Sequence, residues 1–461
     1  MNILVVGSGP SAYASLLPLL SDNKNEIVLI DNSDLDKNYL NEQCIYKSKF
    51  SSGNRIADNQ NIYDNSNNLE DKSFPFSSKS FGGFSNVWGG TIFYPTNTEL
   101  EKYTLLNIDI MKYFNLILNE TNLLSSDENY NSYELTTRER KIFSNLKQKE
   151  DEEFSVNFSK TWLSKNSFEM LRNKNVCEFC KSYTWDCRSE KIWNSKSFIK
   201  KNIEENNLNY LPKTKLLSFN DSKDKVTCTL KNNSKTYLKE FDKVFLCCGA
   251  ISTSSIVMNS LNIPEVEIKT SDMISFPYFT IFRKGNKRHS LSDMFLIHES
   301  KKTKFFIQLY GYSKGLLNLA GDAIPVTKLL TKLPNLLFKN FGGVFMYMNE
   351  ENSSTFKMLK TTGEYKFIAK KKNYLDTSEI QKIKKNFYSS GVFPLFFLKK
   401  FYTYGTSNHY GGQFAHSLSP GELGTDRKGR IKGLKNVHIL DSSVLPVINT
   451  GPFTITMMAN S

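Results

Sequence analysis

The start of the chain combines two short, unbroken apolar runs with a glycine turn and a helical pattern. Residues 2–6 (NILVV) show no polar alternation, which is typical of a strand buried on both faces of a parallel sheet. A glycine turn follows, a helix is predicted over Tyr13 to Leu20, and a second buried strand is predicted over Glu26 to Asp31. The order strand, turn, helix, strand predicts an α/β fold with a Rossmann-like unit.

The pattern in the rest of the chain is less regular. Residues 32–73 are polar and predict a long loop, whereas 97–175 predict mainly helices with charged faces. The closing segment 453–460 also has a helical pattern, and no internal repeat is visible. Further strands are predicted over 210–219, 226–230, 235–238 and 243–248.

The turn after the first strand has the GxGxxA spacing of a phosphate cradle. Gly7 permits the tight turn, Gly9 lets a pyrophosphate approach the bare backbone, and Ala12 lets the helix pack close to the strand. Ser11 lies where the helix begins, beside N–H groups that can bind phosphate. Asp31 is placed to accept hydrogen bonds from an adenosine ribose. A dinucleotide site is therefore predicted; a purely structural turn is the alternative, and the turn alone does not separate FAD from NAD.

Length and composition indicate a folded protein of two or more units. The chain has 461 residues, 39% of them hydrophobic. Its formal charge of +14 suits nucleic acid, an anionic substrate or a membrane surface. Acidic residues are interleaved with the lysines and no zinc-finger spacing occurs, so no nucleic-acid partner is expected. No leader or membrane-spanning run is expected, and the seven cysteines lack a secreted-scaffold spacing, which favours a cytoplasmic protein.

Three further segments share the pattern of one known family. Residues 81–90 (FGGFSNVWGG) match a GG-x-S-x-x-W-G-G turn, 244–250 (VFLCCGA) match a strand followed by Gly-Ala, and 429–459 match a C-terminal signature. In this order they resemble the glucose–methanol–choline (GMC) oxidoreductases. The resemblance covers roughly the first 95 residues, 190–260 and 405–461, and it implies FAD rather than NAD as the cofactor.

The resemblance also implies roles for individual residues. Gly82 and Gly83 would let the chain pass close to the pyrophosphate or ribityl, and Ser85 and Asn86 would lie near the flavin ring. Asp441 would approach the phosphates or ribityl, while Pro452 and Phe453 would cap the pyrimidine end. A flexible glycine loop at 82–90 is the alternative. The implied cofactor site comprises Gly7, Gly9, Ser11, Ala12, Asp31, Gly82, Gly83, Ser85, Asn86, Gly249, Asp441, Pro452 and Phe453.

GMC oxidoreductases, which this chain resembles, have a catalytic histidine in an H-x-x-G pattern shortly before their C-terminal signature. His409, in the sequence NHYGG, fits this pattern. We expect it to accept the hydroxyl proton of an alcohol while a hydride moves to the flavin. His416 is a candidate supporting group, and His438 is expected to be packed in a strand. His289 and His298 lie outside any motif.

One position departs from the resembled family. A second histidine or asparagine is expected immediately before the proline of the last motif, where this chain has Gly451. Asn449 and His416 are candidate substitutes. The alternatives are that the substrate is activated differently, that the enzyme runs a reduction, or that the chain is a non-catalytic flavin-binding or membrane-associated accessory protein. An NAD-dependent dehydrogenase is a further alternative, which the segment 82–90 and the C-terminal motif disfavour.

The attachment of FAD and the binding of a metal can also be predicted. Some members of the resembled family bind FAD covalently through a histidine that here is Val87, so non-covalent FAD is expected. Cys177, Cys180 and Cys187 form a compact group, but a structural zinc or iron–sulfur cluster normally needs four ligands. Ordinary thiols and no metal are expected, and a metal or redox use is the alternative.

Two segments, 316–337 and 392–401, combine leucine and phenylalanine with lysine. In the second, VFPLFFL is followed directly by Lys399 and Lys400. This pattern favours a core-facing segment with solvated lysines, and peripheral contact with an anionic bilayer is the alternative.

These observations predict an FAD-dependent oxidoreductase that acts on a CH–OH group of a small molecule. A sugar or polyol is the substrate class implied by the resemblance, and a lipid-linked compound is an alternative; the oligomeric state stays open. The FAD-binding domain is predicted to comprise 1–95, 191–264 and 405–461, and an α+β substrate domain to comprise 96–190 and 265–404.

Overall fold

The structure is a computed structural model, and the statements below concern the residues that it describes. These are residues 1–33, 75, 78, 80–86, 88, 90–121, 137–158, 160–161, 193–233, 235–282, 292, 294–301, 303–311, 340–362, 364–370, 377–402, 404–405 and 407–461.

A five-stranded parallel sheet organises the first unit. Its strands are β1 Asn2–Val6, β2 Glu26–Ile30, β6 Asn209–Leu211, β10 Lys243–Leu246 and β21 Val437–Ile439. They are hydrogen-bonded in the order β21, β10, β1, β2 and β6. Val6 lies opposite both Ile30 and Leu246, so the central strand is buried on both faces. The prediction of buried parallel strands from unbroken apolar runs is confirmed.

Eight helices lie in the described part of the chain. They are α1 Pro10–Leu20, α2 Asn97–Leu105, α3 Ile110–Glu120, α4 Thr137–Lys147, α5 Ser195–Glu204, α6 Ala250–Ser260, α7 Thr377–Ser389 and α8 Thr454–Asn460. α1 begins three residues earlier than predicted, because Pro10 is compatible with the first helical position. None of the described helices is long and apolar enough to cross a membrane.

A curved antiparallel sheet forms the second large element. Its strands are β4 Phe154–Phe158, β12 Met273–Thr280, β13 Met294–Glu299, β14 Lys304–Tyr310, β15 Phe341–Met348, β18 Val392–Pro394 and β19 Lys400–Tyr402. Their order is β18, β12, β15, β14, β13 and β4, with β19 also paired to β12. A separate two-stranded ladder pairs β3 Thr91–Ile92 with β5 Lys160–Thr161.

The two faces of this sheet differ in character. Alternate residues such as Phe276 and Met346 are buried in a core cluster that includes side chains from α4 and α7. The residues between them, such as Phe345 and Tyr347 on β15, are only partly buried. The face that carries Tyr347 therefore lies towards the rest of the molecule and is dominated by aromatic side chains on β15.

Two smaller sheets pack into the same core cluster as the parallel sheet. A meander consists of β7 Thr214–Asp221, β8 Val226–Asn232 and β9 Lys235–Phe241, and a second sheet contains β11 Glu265–Thr270, β16 Thr355–Thr361, β17 Glu364–Lys370 and β20 Tyr410–Gly411. Ile268 and Phe356 from the second sheet lie in one cluster with Leu4 of β1. Parts of the range 265–404 thus pack with the unit that contains the parallel sheet. The proposed division into domains stays a prediction.

The prediction of mainly helical structure over 97–175 is confirmed for most of its described residues, which form α2, α3 and α4. The strand β4 was not predicted there, and it pairs with β13. Phe154 and Val156 are buried, while Asn157 between the strand's apolar positions is exposed. This alternation has the period of a strand, and the charged residues before it obscure it in the sequence.

Candidate active site

The turn between β1 and α1 is held tightly against the end of β10. Gly7 has a φ of +101°, and an ideal Cβ at this position would lie 2.6 Å from the carbonyl oxygen of Cys247. An ideal Cβ on Gly9 would meet no atom within 4 Å, so the backbone there borders open space. Ala12 is fully buried among the side chains of β1 and β2. The three residues thus occupy the positions that a phosphate cradle requires.

Ser11 lies in the first turn of α1 and faces the cavity described below. Its side chain is buried, and its Oγ makes no hydrogen bond to any described residue. A buried hydroxyl normally finds a partner. A ligand with hydrogen-bonding oxygens at this helix N-terminus would provide one.

Asp31 lies immediately after β2 and is held in place by two serines. Ser8 Oγ donates to its Oδ2 at 2.6 Å, and the N–H and Oγ of Ser33 donate to its Oδ1 at 2.8 and 2.5 Å. Burial raises the pKa of the Asp31 carboxyl, and the hydrogen bonds from Ser33 and Ser8 oppose that shift.

The glycine segment 81–86 folds over the turn between β1 and α1. The N–H of Gly82 donates to Ser8 Oγ at 2.9 Å, and an ideal Cβ on Gly83 would lie 3.4 Å from the Cα of Gly9. Ser85 Oγ donates to the carbonyl of Gly82 at 2.6 Å. The two glycine turns are therefore joined by direct contacts.

Ser195 and Asn86 stabilise this arrangement from its two sides. Ser195 Oγ donates to the carbonyl of Ser8 at 2.8 Å, and its N–H donates to Ser85 Oγ at 3.2 Å. The amide of Asn86 donates to the carbonyls of Phe81 and Gly83 and closes the turn. Ser8 and Ser195 were not among the predicted site residues, because nothing in their local pattern marks them as a bridge.

Asp441 joins the C-terminal signature to the start of α6. Its Oδ2 accepts hydrogen bonds from the N–H of Gly249 at 2.9 Å and from Thr253 Oγ1 at 2.5 Å. Its Oδ1 accepts from the N–H and Oγ of Ser443. Burial raises the pKa of the Asp441 carboxyl, and these hydrogen bonds oppose that shift. Gly249, with a φ of +81°, turns the chain from β10 into the helix.

One cavity of about 700 Å³ connects these elements. This volume lies in the range of small-molecule sites in proteins. Ala12, Gly82, Asn86 and Pro452 do not line it. The predicted residues that do line it are Gly7, Gly9, Ser11, Asp31, Gly83, Ser85, Gly249, Asp441, Phe453 and His409.

His409 also lines this cavity and contacts two aromatic rings. Its imidazole is stacked on Tyr347, with ring centroids 4.6 Å apart and planes inclined by 16°. Phe453 meets it edge-on at 5.1 Å. The N–H of Ser271 donates to the carbonyl of His409 at 2.8 Å and fixes its backbone. Tyr347 was not predicted, since it lies on a strand distant in sequence.

Gly451 lies beneath the ring of Phe93. An ideal Cβ at Gly451 would overlap this ring, which is buried with Phe295 and Phe306. The position of the expected second polar group is therefore filled by an aromatic cluster. The centroids of Phe93 and Phe306 are 4.5 Å apart.

Neither candidate substitute for the second polar group lines the cavity. His416 Nδ1 lies 2.7 Å from the carbonyl oxygen of Asp426, and its Nε2 lies 3.2 Å from Asn460 Nδ2. Burial lowers the pKa of His416, while its hydrogen bonds oppose the shift. Asn449 is fully buried, and its amide makes no hydrogen bond to any described residue.

Two further described histidines, His298 and His438, do not line the cavity. His438 is buried in β21 against Phe245. His298 is buried with Glu379, with Nε2 and Oε2 2.5 Å apart, far from any predicted motif. The predictions on His289, Val87, Cys177, Cys180, Cys187 and 316–337 fall on residues outside those that the structure describes.

The whole chain is similar in structure to pyridoxine 4-oxidase from Mesorbium loti, a GMC oxidoreductase. The TM-score is 0.61 at 10% sequence identity, and the match covers 100% of this chain and 97% of the other. No protein-family model matches the sequence, and no curated protein sequence matches it. The likeness establishes the fold: a Rossmann-like parallel sheet with a curved antiparallel sheet, as in GMC oxidoreductases. The predicted fold class is confirmed, and the roles of the site residues stay predictions.

Proposed function

We propose that this chain binds FAD non-covalently and oxidises an alcohol group to a carbonyl, with His409 as the base. The observation that carries the proposal is that one continuous cavity is lined both by the glycine turn of β1 and α1 and by His409. The glycine turn would bind a nucleotide, and the imidazole of His409 is available as a proton acceptor in the same cavity. The fold of an alcohol oxidase over the full length of the chain supports the same function.

The residues around the cavity offer the open space and hydrogen-bonding groups that FAD needs. Gly9 leaves open space beside the backbone, and Ser11 presents a buried hydroxyl that lacks a described partner. Gly83 passes directly over Gly9, where a side chain would obstruct the approach of a pyrophosphate. Asp31 presents carboxylate oxygens that can accept hydrogen bonds from ribose hydroxyls. These residues would bind the ADP half, and Ser85, Asp441 and Phe453 would surround the remainder.

The catalytic roles follow from the contacts of His409. Bound FAD supplies an acceptor for the hydride that leaves the carbinol carbon. The imidazole of His409 accepts the hydroxyl proton as the carbonyl forms, which is a suitable role for histidine near neutral pH. Tyr347 and Phe453 hold the imidazole by contacts on its face and edge. Phe93 covers Gly451, the position at which GMC oxidoreductases have a second histidine or asparagine.

The substrate class is a separate proposal. The proposal of a sugar or polyol substrate is based on the sequence resemblance. The enzyme with the similar solved structure acts, by its name, on pyridoxine. Both compounds carry CH–OH groups, so a panel of substrates should contain sugars, polyols and pyridoxine.

The test is an anaerobic absorbance spectrum of the purified protein followed by titration with this panel. A flavin spectrum that is bleached by one compound supports the proposal. The variant His409→Asn should keep the flavin spectrum, but substrate should bleach its flavin more slowly by a factor of roughly 10²–10⁴, which is the usual contribution of a general base. The control His438→Asn, in a strand outside the cavity, should bleach like the wild type.

Other outcomes would favour the alternatives. A bound flavin that no compound bleaches would indicate a reductase or an accessory flavoprotein, which the filled position at Gly451 keeps open. Release of NAD instead of flavin on denaturation would indicate a nicotinamide-dependent dehydrogenase. A yellow precipitate after acid denaturation would contradict non-covalent binding.

A further inference from the structure

An exposed aromatic edge runs along β12 on the side of the antiparallel sheet where β18 and β19 pair with it. It consists of Ile281 after β12, Tyr388 at the end of α7, Phe397 between β18 and β19, and Phe401 in β19. The exposed fractions of these side chains are 57%, 48%, 78% and 45%. Large apolar side chains grouped in this way on a folded protein mark a contact site more often than chance exposure does.

The exposed side chains rest on a rigid base. Val392 and Pro394 of β18 are buried, and Phe396 packs against Phe276 of the core with centroids 5.0 Å apart. Phe279 and Phe393 face each other across β12 and β18 and extend the aromatic surface inwards. The edge is therefore presented by paired strands and a helix.

Lysines dominate the charges around this edge. The three segments that build it, residues 273–282, 340–348 and 377–402, contain five lysines and one acid, Glu379, which is buried. Lys382 pairs with Glu153 and Glu379. The other four, Lys384, Lys385, Lys399 and Lys400, form no ion pair with a described acidic residue, and the electrostatic potential here is correspondingly positive.

Three of these lysines extend along aromatic rings. The ammonium groups of Lys384 and Lys399 lie 4.5 and 5.1 Å from the centroid of Phe396, and that of Lys400 lies 5.2 Å from the centroid of Tyr402. Aromatic side chains and lysines with apolar stems are the residues that suit the boundary between lipid headgroups and acyl chains.

We propose that this aromatic edge is a docking surface for an anionic lipid bilayer. Lipid phosphates complement the four lysines, while the exposed rings enter the headgroup boundary. A second copy of this chain fits less well, because two surfaces that each carry four lysines without an ion pair to a described acidic residue repel each other. The proposal does not depend on the flavin chemistry.

The location of the edge relates it to the candidate active site. Phe341, Phe345 and Tyr347 alternate along one face of β15, and Phe341 contacts Phe279 beside the edge. Tyr347, at the other end of the strand, is stacked on His409. The edge runs along β12 beside the whole of this strand face, because Phe393 pairs with Phe279 at one end of β12 and Phe401 pairs with Ile274 near the other.

The test is co-flotation of the full-length flavoprotein with vesicles of phosphatidylcholine, with and without phosphatidylglycerol. The wild type should float only with the anionic vesicles. The double variant Phe397→Ser/Phe401→Ser should bind at least about tenfold more weakly, from loss of buried ring area. Lys399→Glu/Lys400→Glu should lose roughly fivefold per lysine or more.

A matched control keeps the test specific. Leu238 is 69% exposed on β9, and Lys235 is exposed on the same strand. Leu238→Ser/Lys235→Glu should float like the wild type. Wild-type protein that stays at the bottom of the gradient with anionic vesicles overturns the proposal. Equal loss of flotation in the control and edge variants also overturns it, as does a dimer in solution that the edge variants abolish.

Discussion

The ring of Tyr347 lies nearly parallel to the imidazole of His409, with the centroids 4.6 Å apart. Tyr347 lies in β15 and His409 immediately precedes β20, while Phe453 contacts the same imidazole edge-on. His409 is thus confined by aromatic contacts, and its backbone is bound to Ser271. A base that must meet a substrate hydroxyl in one orientation benefits from such confinement, because its rotational freedom is already lost before the substrate binds.

We predict that replacing the ring of Tyr347 lowers the rate of the chemical step. Tyr347→Phe keeps the stacked ring, and its rate of flavin reduction by substrate should be within about twofold of the wild-type rate. Tyr347→Leu removes the ring, and its rate of flavin reduction should be lower by roughly two- to tenfold, which corresponds to the free energy of one aromatic contact. Anaerobic stopped-flow measurement of flavin bleaching distinguishes the two. Equal rates in both variants would show that the stack does not position His409.

Gly7→Ala should both destabilise the protein and impair cofactor binding. The positive φ costs an alanine roughly 1–3 kcal/mol, and the new Cβ also overlaps the carbonyl of Cys247. Gly433→Ala is the matched control, because Gly433 has a φ of +91° but no atom within 4 Å of its Cβ position. Thermal unfolding and FAD titration should show the larger loss for Gly7→Ala. Equal thermal unfolding midpoints for Gly7→Ala and Gly433→Ala would mean that β10 moves away from the new Cβ without a loss of stability.

The stability of the protein should depend on pH through Glu379. Burial alone would raise the pKa of Glu379, but hydrogen bonds from His298 and Lys382 outweigh it and lower the pKa below its ordinary value of about 4.5. The folded state therefore favours the carboxylate, and this contribution is complete above pH 4.5 and is lost as the pH falls through the lowered pKa.

The measurement is the free energy of unfolding of the wild type and Glu379→Gln across this range. The wild type should be more stable by roughly 1.5–3 kcal/mol near neutral pH, the value of hydrogen bonds to a charged group, and the difference should shrink below pH 4.5. Glu153→Gln, which removes a half-exposed partner of Lys382, should show a much smaller difference. A difference that is constant with pH would contradict the assignment.

The sequence predicts the unit formed by β1, the glycine turn, α1 and β2 well, because the residues that determine it are close together in the chain. Strand, glycine turn, helix and acid lie within a single short stretch, and Gly7, Gly9 and Asp31 can be assigned from spacing alone. The strand β4 was missed because its pairing with β13 is made across more than a hundred residues, while its own charged neighbours favour a helical pattern.

The candidate site shows the same division. His409 and Asp441 could be identified because their motifs resemble those of a known family, and both line the cavity. Tyr347 and Phe93 could not, since their contacts with His409 and Gly451 depend on how two sheets pack, which no local pattern encodes. Asn86 and Pro452 were predicted beside the cofactor, yet neither lines the cavity.

The contact between Phe93 and Gly451 gives the sharpest test of the site's architecture. Gly451→Asn introduces the type of residue that the resembled family has here, but its Cβ overlaps the ring of Phe93, so the single variant should lose roughly 1–3 kcal/mol. Phe93→Ala should cost about 3–5 kcal/mol through the cavity it leaves among Phe295 and Phe306.

The double variant Phe93→Ala/Gly451→Asn should be more stable than the sum of the two losses predicts, because the asparagine then occupies the space that the ring vacates. Gly421→Ala, where a Cβ meets no atom within 4 Å, is the control for the substitution of a glycine and should be nearly neutral. Urea denaturation of the four proteins and the wild type measures the coupling. Additive losses would mean that the two positions do not compete for space. A positive coupling together with faster flavin bleaching in the double variant would show that Phe93 occupies the place of a second catalytic group.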